Sequence, residues 1–394
     1  LSNLEFNSQN VTRLLRLANS TSVWQSNTQT PVQIVQAGYL RDLMLVLSGA
    51  VTTVTTALTL LDNFAPWGLL GNIQVNSNVQ AGLINVSGIG LNWINQVVLG
   101  LEKMGNSFDT TNTATPGTTA AVIGIDEPQG GPVATALNPV PSLYQVPLTV
   151  QAGASLILPW WIPLAQKINT LDGYVGIWDL QDPSIQMVLN YTPNTPTTST
   201  PFNIVEGTAS TGAGLFTQAA NTATIAAPTL DILRVMYDPP LDPANDPEFG
   251  YVHSWYEELW NTAPGGSSTI NWRALANSGY ITRLIFGVWN STTSLGVADT
   301  LCNLSNSINL TVGNNAPVIV ENINEYRMRS SMELGHQITQ GAFYIDFLGQ
   351  DLTLQNVLDT FVAGNINLQM NFSSGLGATS TGKVIRGMLQ ALMQ

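Results

Sequence analysis

The run Leu43–Leu61, LMLVLSGAVTTVTTALTLL, is nineteen residues long without a charge, enough to cross a bilayer as a helix if hydropathy alone decided. Its composition decides otherwise. Thr52, Thr53, Thr55, Thr56 and Thr59, with Ser48-Gly49, interrupt the apolar run, and β-branched Val and Thr suit a pleated surface better than a helix. The stretch reads as two β-strands joined near Ser48-Gly49. Similar runs, punctuated by Gly, Pro or Asn, recur along the chain at 32–37, 40–47, 50–60, 73–79, 83–89, 143–150, 155–162, 173–180 and 185–191. A second series follows at 230–237, 280–289, 307–312, 317–323, 342–348 and 365–372. This spacing predicts an all-β protein built as sandwiches or barrels of antiparallel strands. Between the series lies a breaker-rich stretch, 192–228, holding TPNTPTTSTP and GTASTGAG, which reads as a connection plus an exposed loop.

Composition sets outer limits. Of 394 residues, 44% are hydrophobic and the mean hydropathy is +0.14, which excludes wholesale disorder. Only 9% are charged, against about 25% in a typical soluble domain. Neutral polar residues stand in for charge, with 41 Thr and 36 Asn. A chain of this length favours two domains over one oversized core. The net charge of −13 and the three lysines argue against direct nucleic-acid binding, which depends on cations that neutralise phosphates. One cysteine, Cys302, excludes a disulfide framework and a multi-cysteine zinc site, and reads as a buried small hydrophobe.

Two internal echoes point to duplication of one architecture. Gly38-Tyr39-Leu40-Arg41-Asp42-Leu43 resembles Gly279-Tyr280-Ile281-Thr282-Arg283-Leu284, an offset of 279 − 38 = 241. Ile185 to Tyr191 (IQMVLNY) resembles Ile366 to Phe372 (INLQMNF), an offset of 366 − 185 = 181. The first half therefore carries 60 more residues between its landmarks, and the Gly/Thr/Pro-rich span 105–142 is the obvious insertion.

Charge is unevenly spread. Residues 1–30 hold Arg13 and Arg16 against Glu5, residues 373–394 hold Lys383 and Arg386 with no acid, and the remainder sums to 8 − 24 = −16. In the first tail Val11, Leu14, Leu15 and Ala18 fall at helical spacing behind Asn10; Val384, Met388, Leu389 and Leu392 do so in the second. Both tails read as short amphipathic helices that either pack on the body or lie on a membrane surface. Arg13, Leu14, Arg16, Lys383, Val384, Arg386 and Leu389 are the candidate membrane-facing or assembly residues.

Catalytic patterns are scarce. His253 and His336 are the two histidines, too few for a multi-histidine metal centre. In HSWYEELW a helix would set His253 near Glu257 and Glu258, a pairing common on helix surfaces, with Trp255, Tyr256 and Trp260 forming an aromatic face. The sequence has no Gly-x-Ser-x-Gly elbow, P-loop or dinucleotide fingerprint. Paired carboxylates for glycoside hydrolysis are compatible with 25 acids but not indicated by them. Eight Asn-x-Ser/Thr triplets follow from composition and are not read as glycosylation sites. No catalytic, metal or cofactor-binding residue is assigned, and no cofactor is expected.

The segments in order resemble a known family. Gly38 to Leu43 leading to Leu47-Ser48-Gly49-Ala50-Val51-Thr52, then Pro163 to Ile168, Asp172-Gly173 and Leu180-Gln181-Asp182-Pro183, resemble the first half of double jelly-roll major capsid proteins. That family belongs to tailless icosahedral bacteriophages with an internal membrane, the tectivirus-like and corticovirus-like group. Leu233 to Tyr237, His253 to Trp260, Gly279-Tyr280-Ile281, Gly341 to Phe347 and Leu358-Asp359-Thr360 resemble its second half, so the likeness covers about residues 31–375. The resemblance implies two tandem eight-stranded jelly-roll barrels with short helices in loops and at the termini. The expected division is an N-terminal arm at 1–30, a first jelly roll at 31–195, a linker and exposed loop at 196–228, a second jelly roll at 229–378 and a C-terminal helix at 379–394. It also implies a non-enzymatic major capsid protein of the virion, assembled in the host cytoplasm. The chain would form a homotrimer, a pseudo-hexagonal capsomer that tiles a shell with penton and minor capsid proteins. Both tails would face the inner membrane, with no direct contact to nucleic acid. The alternatives by function are a virion spike, adhesin or lectin-like β-sandwich binding surface glycans, and a two-domain β-rich hydrolase.

Overall fold

The computed structural model describes residues 14–21, 28–52, 58–60, 69–102, 122–124, 142–145, 149–150, 155–167, 174–193, 205–206, 216–217, 224–239, 249, 251–260, 269–274, 279–290, 304–313, 317–334, 342–348, 357–373 and 380–391. Sixteen of its strands fall into two sets of eight. The first set is β1 (Leu14–Thr21), β2 (Thr30–Gln33), β3 (Tyr39–Thr52), β4 (Leu70–Ser77), β5 (Ile84–Val86), β6 (Ser155–Pro163), β7 (Met187–Pro193) and β8 (Thr224–Tyr237). The second is β9 (Tyr251–Trp260), β10 (Thr269–Ala274), β11 (Tyr280–Asn290), β12 (Ile308–Val312), β13 (Ile319–Glu321), β14 (Ala342–Asp346), β15 (Ile366–Asn371) and β16 (Ser380–Ala391). Helix α1 (Gly88–Glu102) follows β5, and helix α2 (Ile323–Leu334) follows β13.

Pairing repeats with the same order in each set. The first runs β1-β8-β3-β6 and β2-β7-β4-β5; the second runs β9-β16-β11-β14 and β10-β15-β12-β13. Each is two four-stranded antiparallel layers around a core, the jelly-roll arrangement. Of the two echoes in the sequence, Gly38 to Leu43 and Gly279 to Leu284 are the openings of β3 and β11, and Ile185 to Tyr191 and Ile366 to Phe372 fall on β7 and β15. Gly38 and Gly279 both adopt positive φ (57° and 108°), and each gives its carbonyl to a distant amide, Leu180 N at 3.0 Å and Thr360 N at 3.1 Å. Tyr39 pairs with Asp179 and Tyr280 with Asp359. A bulge then follows at matching places, opposite Val235/Met236 in one sheet and at Ile281/Arg283 in the other. Matching registers make Met44 the counterpart of Ile285, Pro159 of Ala342, and Leu233 of Ile385.

The cores show why the strands alternate as they do. Ile270, Leu284, Phe286, Leu310, Phe343, Leu368 and Val384 fill the second barrel. Leu43, Leu45, Ile73, Val75, Ile162, Leu189 and Ile232 fill the first, but its cluster also takes in Ile285, Ala342, Tyr344 and Ile385. The β9-β16-β11-β14 sheet is thus buried on both faces, one against its own barrel and one against the first. A sheet covered twice reads as unbroken apolar runs, here LIFGV (284–288) and AFYI (342–345).

Several expectations are corrected by these elements. β3 runs through Ser48-Gly49 without a break, because Ser48 is paired on both sides, with Ile157 and with Thr229. HSWYEELW is strand β9, not a helix, so His253 and Glu257 stand four strand residues apart, about 13 Å. The tail helices are strands as well, β1 and β16. In β16, Val384 and Ile385 are buried on opposite faces, which mimics helical spacing, while Gly382 and Gly387 weaken any helix. The division at 195 and 229 does not follow the pairing. β8 begins at Thr224 and lies between β1 and β3, so the first set of strands closes at Tyr237 and the second opens at Tyr251. Most of 105–142 and of 192–228, with Asn10, Arg13, Cys302 and His336, lies outside the described residues. No helix among the described residues is long and apolar enough to cross a membrane.

Candidate assembly site

The two barrels are joined by hydrogen bonds. β5 and β9 pair in parallel, Trp255 with Ile84 and Tyr256 with Asn85, and Trp255 N donates to Leu83 O at 2.8 Å. This welds the β2-β7-β4-β5 layer of the first barrel to the β9-β16-β11-β14 layer of the second. Side chains on β9 reinforce the weld. Ser87 caps α1, its Oγ accepting from Gly90 N at 3.1 Å, and Glu257 Oε2 in turn accepts from Ser87 N at 2.8 Å and Ser87 Oγ at 2.7 Å. A carboxylate at this helix N-terminus meets the positive end of the helix dipole. Lys383 completes the group, ion-paired to Glu257 and donating to Ser87 Oγ at 3.1 Å. A Cβ at Gly90 would run into Glu257 Oε2, so the close approach requires glycine.

Glu258 lies on the opposite face of β9, ion-paired to Arg386 and accepting from Trp272 Nε1 at 2.9 Å. His253, 1% exposed, packs edge-on against Trp255 and sits beneath Gly176 of the first barrel. Its Nε2 lies 3.4 Å from Thr282 Oγ1, whose own proton goes to Gly387 O at 3.0 Å. Nε2 therefore donates and His253 is the neutral Nε2–H tautomer, with Nδ1 unpartnered. Burial, then the Arg283 charge, push its pKa down to about 3.

The expected site residues are dispersed by this arrangement. Arg13 is outside the described residues; Leu14 and Arg16 lie on β1, in register with Met236 and Arg234. Lys383 and Arg386 are engaged with Glu257 and Glu258, while Val384 and Leu389 are buried. Among the described residues of the C-terminal strand, the apolar side chains Val384, Ile385, Met388 and Leu389 are buried. Glu257, the residue that holds the junction, carries no sequence signal that separates it from other acids.

The matching edge of the second barrel is open. β13 has β12 as its one paired neighbour among the described residues, and Val318 and Val320 are 64% and 47% exposed. Met328 and Met332, one turn apart on α2, are 63% and 77% exposed. Lone exposed hydrophobes are ordinary; here two fall at β13 and two on the helix that follows it. Arg329 bridges Glu321 at 3.0 Å and Glu333 at 3.9 Å beside them. Burial pushes the Glu321 carboxyl up, Arg329 opposes it, and Glu333 and Glu325 add to it. No group of three His, Cys, Asp or Glu among the described residues could hold a metal ion.

Comparison with known proteins yields fold without close kinship. No protein-family model and no curated protein matches the sequence. Among solved structures, the major capsid protein of Sulfolobus turreted icosahedral virus is similar at a TM-score of 0.58 and 15% identity, over 96% of each chain. The capsid of the virus PBCV-1 is similar at 0.55 and 9% identity, over 97% of this chain and 94% of that one. The Faustovirus major capsid protein is similar at 0.51 and 10% identity, over 97% and 91%. Identities this low speak for the fold: the chain is a double jelly roll, the architecture of these viral major capsid proteins.

Proposed function

We propose that the chain is a major capsid protein that trimerises into pseudo-hexagonal capsomers and tiles an icosahedral virion shell. One observation carries the reading: strand order is duplicated in full across two barrels, in a fold shared over nearly the whole chain with capsid proteins of three viruses. Two similar barrels per chain give three chains six similar units, which suits hexagonal packing. The Asn/Thr-rich, charge-poor composition supports it, since neutral polar surface is buried between neighbours at lower desolvation cost than charge. Penton and minor capsid proteins would complete the shell, and assembly would take place in the host cytoplasm.

Contact with an internal membrane is the finer part of the proposal; because Lys383 and Arg386 are engaged with Glu257 and Glu258, we assign it to the N-terminal segment with Arg13. Light scattering on the purified protein tests the main reading: three times 42.2 kDa is expected, with hexagonal outlines in electron micrographs. A protein that stays monomeric at all concentrations would refute it. Liposome flotation with and without residues 1–13 tests the membrane contact; equal flotation would remove it.

A further inference from the structure

Inside one chain the β5–α1 edge of the first barrel is covered by the second, whereas the matching β13–α2 edge has no such cover among the described residues. We propose that β13 and α2 of one chain dock on β1 and on the outer face of the β1-β8-β3-β6 sheet of a second copy, repeating between chains the junction that β5 and α1 make with β9 inside one. This rests on the capsid reading and assigns the residues of its subunit contact.

Both partners of that contact can be read from the repeat. Aligning the helix caps, Ser87 with Asn322, makes Met328 and Met332 the counterparts of Trp93 and Val97. Trp93 and Val97 are fully buried, while the two methionines are among the most exposed apolar side chains described. On the receiving sheet, Ile285, Ala342 and Ile385 are buried beneath the first barrel. Their counterparts Met44, Pro159 and Leu233 are apolar and only partly buried. An apolar donor edge and an apolar receiving face thus remain, each at the position that the internal junction covers.

Register and charge agree with this placement. Trp255 lies opposite Gly387 and Leu15 opposite Val235, equivalent positions of the two sheets. The internal pairs Trp255–Ile84 and Tyr256–Asn85 therefore translate into Leu15 beside Ile319 and Arg16 beside Val320 of the next chain. Like β13, β1 has a single paired neighbour among the described residues, and exposed strand edges invite pairing with another chain. Arg16 would arrive next to Glu321, Glu325 and Glu333. Because donor and acceptor surfaces differ, the contact is head-to-tail and can close into a ring.

Cysteine cross-linking in the full chain tests this. Adjacent strands lie about 4.8 Å apart, within reach of a disulfide. Arg16→Cys with Val320→Cys, in a Cys302→Ser background, should give covalent dimers and trimers on oxidation and none with either cysteine alone. Trimers of normal mass without cross-links would overturn this contact and leave the capsid reading standing; a monomeric parent protein would overturn both. A second variant, Val320→Asp with Met332→Asp, alters exposed positions and should keep the monomer's melting temperature while weakening self-association at least tenfold. Unchanged association would refute the proposal.

Discussion

Acid should loosen the junction between the barrels through His253. The imidazole is 1% exposed and neutral, with its pKa lowered to about 3 by burial and by Arg283. In the unfolded chain it titrates near 6.5. Because the folded pKa lies below the unfolded one, the unfolded state takes up the proton first, and stability is lost as pH falls from about 6.5 towards 3. At about 1.36 kcal/mol per unit, the full loss is roughly 5 kcal/mol, of which about 2 kcal/mol falls between pH 7.5 and 5. With a urea slope of roughly 3 kcal/mol/M, that is a shift of about 0.7 M in the unfolding midpoint. His253→Gln keeps a donor for Thr282 and cannot titrate. Tryptophan fluorescence during urea unfolding at pH 7.5, 6 and 5 gives the midpoints for both proteins. Carboxylates lower both curves alike, so the difference isolates His253. A parallel decline in the two proteins would refute the assignment.

Three further outcomes follow from the packing. Glu257→Ala removes the acceptor above α1 and strands Lys383, and should cost about 3 kcal/mol, as loss of one partner of a buried pair does; a melting temperature within a degree of the parent would contradict it. Gly38→Ala combines φ +57° with a Cβ 3.0 Å from Tyr237 O, whereas Gly364→Ala at φ +69° meets open space. The first should therefore destabilise by about 1–3 kcal/mol more than the second in denaturant titrations. Asn322→Ala removes the side chain that accepts from Glu325 N at 2.9 Å, and should lower stability by about 1 kcal/mol, measured the same way.

The sequence was most legible where one face of a strand is wet. β4 and β7 alternate buried and part-exposed residues, and both were readable as strands with errors of a few residues. The openings of β3 and β11 were legible because a positive-φ glycine followed by an aromatic is a local requirement. Legibility failed where a second layer covers the sheet. In β9 and β16 consecutive residues are buried on opposite faces, and the period-2 signal vanishes into one that resembles a helix. Helix α2 carries a local signal in the sequence, the capping pair Asn322 and Glu325 before its first turn. Helix α1 carried less, since Gly88 and Gly90 open it and Gly90 is explained only by Glu257 of another barrel. The junction itself was invisible because parallel pairing of β5 with β9 joins residues about 170 positions apart, and the exposure of Met328 and Met332 is a property of the folded surface alone.

The position of β16 has a consequence for biosynthesis. Residues 380–391 form the strand between β9 and β11, so the second sheet lacks its middle until a segment 380 − 290 = 90 positions beyond the end of β11 has been made, and such long-range pairing is slow to form. A prematurely terminated chain would expose two unpaired strand edges and the apolar faces of β9 and β11, a species prone to aggregate and be degraded. Placing at the centre a strand made after both of its neighbours makes its presence a condition of folding for the second sheet.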